Sequence, residues 1–195
     1  MSKLSRRLEK NCKKNLYAGY IRDTGEFYEK DYGYLLKLSE QFAVLQVEND
    51  FQLTGRKVVR RQDITSIVRG KRERHRQRIF QWEGIEQGIS PYSESKLENW
   101  QSVFRAMKDS SLCIGVETYS WNGETLTIGP VRKIGKRRVA IQHITARGYL
   151  EKELTRIPYS DIRAILFNDF YIDCYKRHVR AYSGKRILNR KWQRT

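Results

Sequence analysis

The chain has little of what a disulfide scaffold, a metal site or a membrane protein requires. Its 3 cysteines, Cys12, Cys113 and Cys174, are odd in number and far apart. With no C-x-x-C pair they exclude a zinc ribbon and a redox dithiol, and they read as idle thiols in a reducing compartment. The 3 histidines, His75, His143 and His178, are scattered, none at ligand spacing from a Cys, an Asp or another His. No metal and no cofactor are expected. No apolar run nears the roughly 20 residues of a bilayer span. The N-terminal Met-Ser-Lys-Leu-Ser-Arg-Arg is too polar for a secretory signal. A cytoplasmic protein with no membrane partner is the expectation. Proline is scarce, with 3 residues, while tyrosine is abundant, with 12, a mixture that suits short strands better than disorder.

Catalytic motifs are missing too. There is no glycine-rich phosphate loop, no G-x-S-x-G elbow and no H-E-x-x-H. Glu151 and Glu153 flank Lys152, and Asp169 lies four residues before Asp173. A metal-dependent nuclease could be assembled from such acids, but exposed loop carboxylates explain them more simply, and no catalytic residue is expected.

Negative charge is the last shortage. The formal net charge is +17, and the excess is concentrated. Residues 1–15 carry a net +5, residues 56–78 a net +8 and residues 176–195 a net +8, leaving the other 137 residues at −4. Clustered like charges repel, and a fold gains nothing from that. A polyanion outside the chain relieves the repulsion, and nucleic acid does so while releasing condensed counterions.

What the chain has is a repeat. At an offset of 96, Leu16 falls on Leu112, Gly19 on Gly115, Gly33 on Gly129, Lys37 on Lys133, and Leu45-Gln46 on Ile141-Gln142. With two more residues in the second copy, Asp63-Ile64-x-x-Ile67 falls on Asp161-Ile162-x-x-Ile165. One structural unit used twice accounts for such matches. The four-residue spacing of Leu4, Leu8 and Cys12 predicts a helix over 2–15. Leu97, Trp100, Val103, Phe104 and Met107 predict a second, begun by a Ser95-x-x-Glu98 capping pattern. Alternating aliphatics predict strands at 42–47 and 139–144, followed in each copy by a strand, an Asp-centred turn and a further strand. Gly19 and Gly115 read as bends within strands, and Gly25 and Asn122-Gly123 as hairpin turns. The expected fold is mainly β with short helices: two tandem, duplicated small β-barrels, each preceded by a helix. The first covers 1–81, a linker 82–94, the second 95–181 and a basic tail 182–195, mobile until it meets a partner.

A short helix followed by about five bent strands, ending in a turn before Asp-Ile, resembles the Sm-like and SH3-like small barrels. The Asp-x-Met-Asn signature by which Sm proteins grip uridine is absent from both copies, so no binding residue is carried over. The resemblance implies that RNA contact and subunit pairing are open to this fold.

The candidate contacts follow the charge. In copy one they are Arg56, Lys57, Arg60 and Arg61, then Arg69, Lys71, Arg72, Arg74, Arg76 and Arg78, where arginine dominates and can fork onto phosphates or base edges. In copy two they are Arg132, Lys133, Lys136, Arg137 and Arg138, flanking a turn at Gly135. Lys176, Arg177 and Arg180 follow, then Lys185, Arg186, Arg190 and Lys191 with Trp192 among them as a stacking aromatic. The function these imply is non-catalytic nucleic-acid binding, RNA ahead of DNA. Trp100 and Phe104 are expected to pack over the sheet. In the alternative, an adaptor or inhibitor for an acidic protein, they or the tyrosine-rich strands are the anchors, and a metal-dependent nuclease is the second alternative.

Overall fold

The computed structural model describes residues 2–92, 97–110, 112–120 and 123–179. Among these residues the fold is mainly β, with ten strands and four short helices, and the chain divides into two compact units, Met1–Ser93 and Glu94–Thr195.

In unit 1, helix α1 (Lys3–Lys13) starts where Ser2 Oγ accepts the N–H of Ser5 at 3.1 Å, a side-chain cap on an otherwise orphan donor. Its apolar stripe buries Leu8 and lies across β2 and β5. Strands β1 (Tyr17–Asp23), β2 (Tyr28–Leu38), β3 (Phe42–Asn49) and β4 (Gln52–Arg60) form an antiparallel meander, and β5 (Ile64–Val68) returns to pair with β1. The order across the unit is therefore β5-β1-β2-β3-β4. A short 3₁₀ turn, Arg61–Asp63, joins β4 to β5. Helix α2 (Lys71–Trp82) then packs on β1.

Unit 2 repeats the order. Helix α3 (Trp100–Asp109) lies on β7, and β6 (Cys113–Ser120), β7 (Gly123–Ile134), β8 (Arg138–Ile141), β9 (Thr155–Pro158) and β10 (Ile162–Phe167) run β10-β6-β7-β8-β9. Helix α4 (Phe170–His178) packs on β6 as α2 packs on β1. Trp100, Val103, Phe104 and Met107 are all buried, and such burial stabilises by about 1.5–3 kcal/mol for each large apolar side chain.

Details recur at the 96-residue offset. The β2–β3 ladder slips between Leu35 and Lys37, the β7–β8 ladder between Val131 and Lys133. Gly33 has φ +150° and a Cβ there would sit 1.9 Å from the Gln46 carbonyl oxygen; Gly129 has φ +159° and the same clearance to Gln142 is 2.0 Å. Both positions admit glycine alone.

Several expectations need correction. Among the described residues no ladder joins β4 to β5 within unit 1 or β9 to β10 within unit 2, so neither sheet closes into a barrel. The second helix starts at Trp100, where Asn99 Oδ1 accepts the N–H of Ser102; Ser95 lies outside the described residues. Gly19 and Gly115 are sites of close cover, not bends: a Cβ would sit 2.9 Å from Lys30 Cε at the first and 3.0 Å from Ile172 at the second. Most of the expected linker belongs to unit 1. Ile85 and Ile89 pack against Tyr17, Tyr34 and Phe80, and Glu86 Oε1 accepts from Tyr34 OH at 2.9 Å and Gln77 Nε2 at 3.0 Å. The Asn122-Gly123 turn and the tail from 182 onward fall wholly or partly outside the described residues.

Candidate nucleic-acid interface

Unit 1 turns much of its basic block inward. Lys57 on β4 is buried and donates to Glu29 Oε1 at 2.5 Å and Asp31 Oδ1 at 2.9 Å. Arg22, fully buried, shares both acids: it pairs with Glu29 and holds Asp31 Oδ2 at 3.2 Å. Burial by itself would raise the Asp31 carboxyl, but Lys57 and Arg22 together hold it below its ordinary value. Arg60 reaches Asp63 Oδ2 at 2.9 Å. Arg61 donates to Ser39 O at 3.1 Å and to Ser5 Oγ. Arg56 binds Ser90 O at 3.0 Å, and Arg69 the Tyr17 carbonyl at 2.6 Å. Arg76 Nε lies 3.0 Å from Glu48 Oε1, which also accepts from Tyr17 OH at 2.5 Å. Six of the ten expected contacts in this block thus hold strands and turns together. A cation drawn under a sheet needs a carboxylate or carbonyl, because burying it unpaired costs far more than the pairing. Asp63 follows the same logic, gripping Arg60 and not a turn N–H.

The other four, Lys71, Arg72, Arg74 and Arg78, are exposed on α2 together with His75. The helix is started by Glu73, whose Oε2 accepts the Gly70 N–H at 2.6 Å. Gln77 anchors it: its Oε1 accepts Tyr17 N–H at 3.2 Å and its Nε2 donates to Asn15 O at 3.1 Å. Among the described residues, none of these four cations makes an ion pair, though Arg72, against burial and after the backbone hydrogen bonds, helps hold the Glu73 carboxyl below its ordinary value.

Unit 2 puts its charge outside. Arg132, Lys133, Lys136, Arg137 and Arg138 are all exposed along the β7–β8 hairpin. Register sets their direction. Lys133 and Arg156 flank Ala140 across three strands, and Arg138, two residues before Ala140, shares that face. Val139 and Ile141 point the other way, into the core. The tip is pinned: Gly135 O accepts Tyr159 OH at 2.9 Å and Gln101 Nε2 at 2.8 Å, and Tyr159 N–H donates to Arg137 O at 3.0 Å. Arg105 stands on α3 one helical turn beyond Gln101, the residue that reaches Gly135 O. Six exposed cations therefore gather at one pinned hairpin: Arg105, Lys133, Lys136, Arg137, Arg138 and Arg156. None has a carboxylate partner among the described residues. Arg132 is tied sideways, to Gln142 Oε1 at 2.8 Å. The matching turn of unit 1, Ser39-Glu40-Gln41, carries no cation.

Arg105 and Arg156 escape a reading by charge blocks because each is isolated in the sequence; only helix packing and strand register bring them to the hairpin. Lys176 and Arg177 ride on α4, where Arg177 donates to Cys174 Sγ at 3.0 Å. Arg180, Lys185, Arg186, Arg190, Lys191 and Trp192 lie outside the described residues.

The acids offer little chemistry. Asp169 caps α4, accepting from Tyr171 N at 3.0 Å and Ile172 N at 3.2 Å. Among the described residues no three His, Cys, Asp or Glu side chains are grouped to hold a metal, and no helix is long and apolar enough to cross a membrane. Burial pushes the Cys113 thiol up to about 12, so it stays protonated. Trp100 and Phe104, anchors only in the alternative protein-partner reading, are core residues at 8% and 0% exposure, packed as their place on an apolar helix face predicts. No protein-family model, curated protein or solved structure matches the chain.

Proposed function

We propose that the chain is a non-catalytic nucleic-acid-binding protein, RNA ahead of DNA, built from one plan of a helix and five antiparallel strands used twice. The observation that carries this reading is the pinned β7–β8 hairpin, with six exposed cations that no described carboxylate answers. Rigid placement lowers the entropy of engaging several phosphates at once, and each one neutralised releases counterions. The shared strand order, bulge and close-packed glycine of the two units support the duplicated plan. RNA is favoured by the resemblance of a short helix followed by five strands to the Sm-like class, a fold-level argument.

Titrating labelled single-stranded RNA and DNA at rising salt tests the reading. With about six phosphates engaged, affinity should fall by two to three decades between about 50 and 200 mM salt. A flat response, or no binding at low salt, overturns it.

A protein partner is the second reading, favoured by Phe170 and Tyr171, which stand 71% and 53% exposed on α4 beside Arg177. Aromatic and arginine side chains are the usual interface anchors. A stoichiometric partner retained after nuclease treatment, and lost on Phe170→Ala, would favour this reading over the first.

A further inference from the structure

The repeated scaffold carries opposite surfaces at one equivalent place. In unit 2, Gly115 on β6 pairs with Ile128 on β7 and is covered by Ile172 of α4 and by Leu126. Ile128 and Ile172 belong to a sealed apolar cluster with Cys113, Ile144 and Val179. In unit 1 the equivalent Gly19 pairs with Tyr32, whose ring lies over the glycine, a Cβ there being 3.1 Å from the ring edge. The helix above is the basic α2. Instead of a seal there is a cleft of about 200 Å³ between Tyr32, Tyr17 and the α2 side chains Arg72 and Arg76.

The cleft has the parts of a stacking site. Tyr32 is half-buried and nearly parallel to Tyr17, 13° between planes with centroids 6.3 Å apart. The Arg72 guanidinium stands 5.9 Å from the centre of the Tyr32 ring, and Lys30 Nζ 4.7 Å. Arg72 and Lys30 sit on side chains that can swing, and a planar ring entering between Arg72 and Tyr32 keeps both π contacts. The volume is below the roughly 300–1,000 Å³ of pockets for drug-sized ligands, which suits one ring system.

Charge decides which part of a nucleotide enters. Glu48, Asp50 and Glu73 also line the cleft. Glu48 is bound by Tyr17 and Arg76, and Glu73 by the Gly70 N–H, so neither is free to receive a base edge. Against Arg72 and Arg76 these three carboxylates leave the lining with one net negative charge, which gives a phosphate no gain on the floor and does not oppose a neutral ring. Phosphate is left to the exposed Lys71, Arg74 and Arg78 of α2.

We propose that this cleft takes an unpaired nucleobase of a single-stranded nucleic acid, stacked on Tyr32 beneath Arg72. The proposal rests on the nucleic-acid reading and adds to it a selectivity, single strand over duplex, that the hairpin cations alone do not supply. A duplex keeps its bases stacked inside and has none to offer.

The test uses the full chain and an oligoribonucleotide with one 2-aminopurine, as single strand and as duplex, with the free nucleoside monophosphate as a third ligand. Stacking should quench 2-aminopurine on binding of the single strand. Tyr32→Leu, which keeps an apolar side chain in place but removes the π face, should weaken single-strand binding roughly tenfold to a hundredfold and leave duplex binding within about twofold. Tyr32→Phe should behave as the parent. The monophosphate should bind far more weakly than the oligonucleotide, since it forgoes the hairpin. Unquenched 2-aminopurine in the bound parent complex, or equal losses on single strand and duplex, would overturn the stacking site while leaving the hairpin reading in place. A parent chain that binds neither form at low salt overturns both. Tight binding of the monophosphate alone would overturn the strand as ligand.

Discussion

Replacing Lys57 with methionine keeps the length of the side chain and deletes its charge. In the folded unit that charge answers two acids, Asp31 at 2.9 Å and Glu29 at 2.5 Å. Glu29 is 32% exposed, so water takes over much of its share; Asp31 is 5% exposed and cannot be rescued that way. Removing one partner of a buried pair costs about 3–5 kcal/mol, because the other charge is stranded. Arg22 stays 3.2 Å from Asp31 and limits the damage. The loss should therefore be about 3 kcal/mol, or roughly 6–12 °C in melting temperature for a chain of this size. Thermal melts followed by circular dichroism measure it, and RNA affinity below the transition should equal the parent's. Adding Asp31→Leu to Lys57→Met restores the balance of one cation and one acid, Arg22 with Glu29, and should recover part of the loss. Parent-like stability with weakened RNA binding would refute the assignment of Lys57 to the fold and return it to the interface.

Acid should unfold unit 1 from the same cluster. The Asp31 carboxyl lies below its ordinary 3.8 in the folded state, so its contribution is complete above about pH 4 and lost as pH falls through the lowered value. Asp31→Asn should be less stable at neutral pH and show a shallower acid transition in a pH-jump unfolding series. Neutralising Lys136, Arg137 and Arg138 together with glutamine should leave the melting temperature nearly unchanged. Their removal should lower the slope of log affinity against log salt by about 2 for a single strand. Gly33→Ala and Gly129→Ala each drive a Cβ to 2.0 Å or less from a carbonyl oxygen, and each should destabilise its own unit by upwards of about 2 kcal/mol, measured by denaturant titration.

Periodicity carries a great deal of this molecule. Leu4, Leu8 and Cys12 mark α1, because a helix with one buried side repeats its apolar residues at its own period, whereas the apolar runs from Phe42 to Leu45 and from Val139 to Ile141 mark strands buried on both faces. The offset of 96 carries the positions of Gly33 and Gly129, because no other residue survives that backbone and contact. Helix α2 is invisible to the same reading. Its exposed side is a run of cations, and it is anchored by Gln77 and Phe80, which make no stripe.

Composition and spacing by themselves determined a β-rich chain with surplus positive charge, because propensity, pattern and formal charge are properties of residues taken in order. Which cations serve the fold and which face outward was decided only by tertiary structure. Lys57 and Lys133 look alike in sequence; one meets Asp31 beneath a sheet and the other meets water beside Ala140. Strand register and the desolvation cost of an unpaired charge assign the difference, and neither exists until the strands are paired.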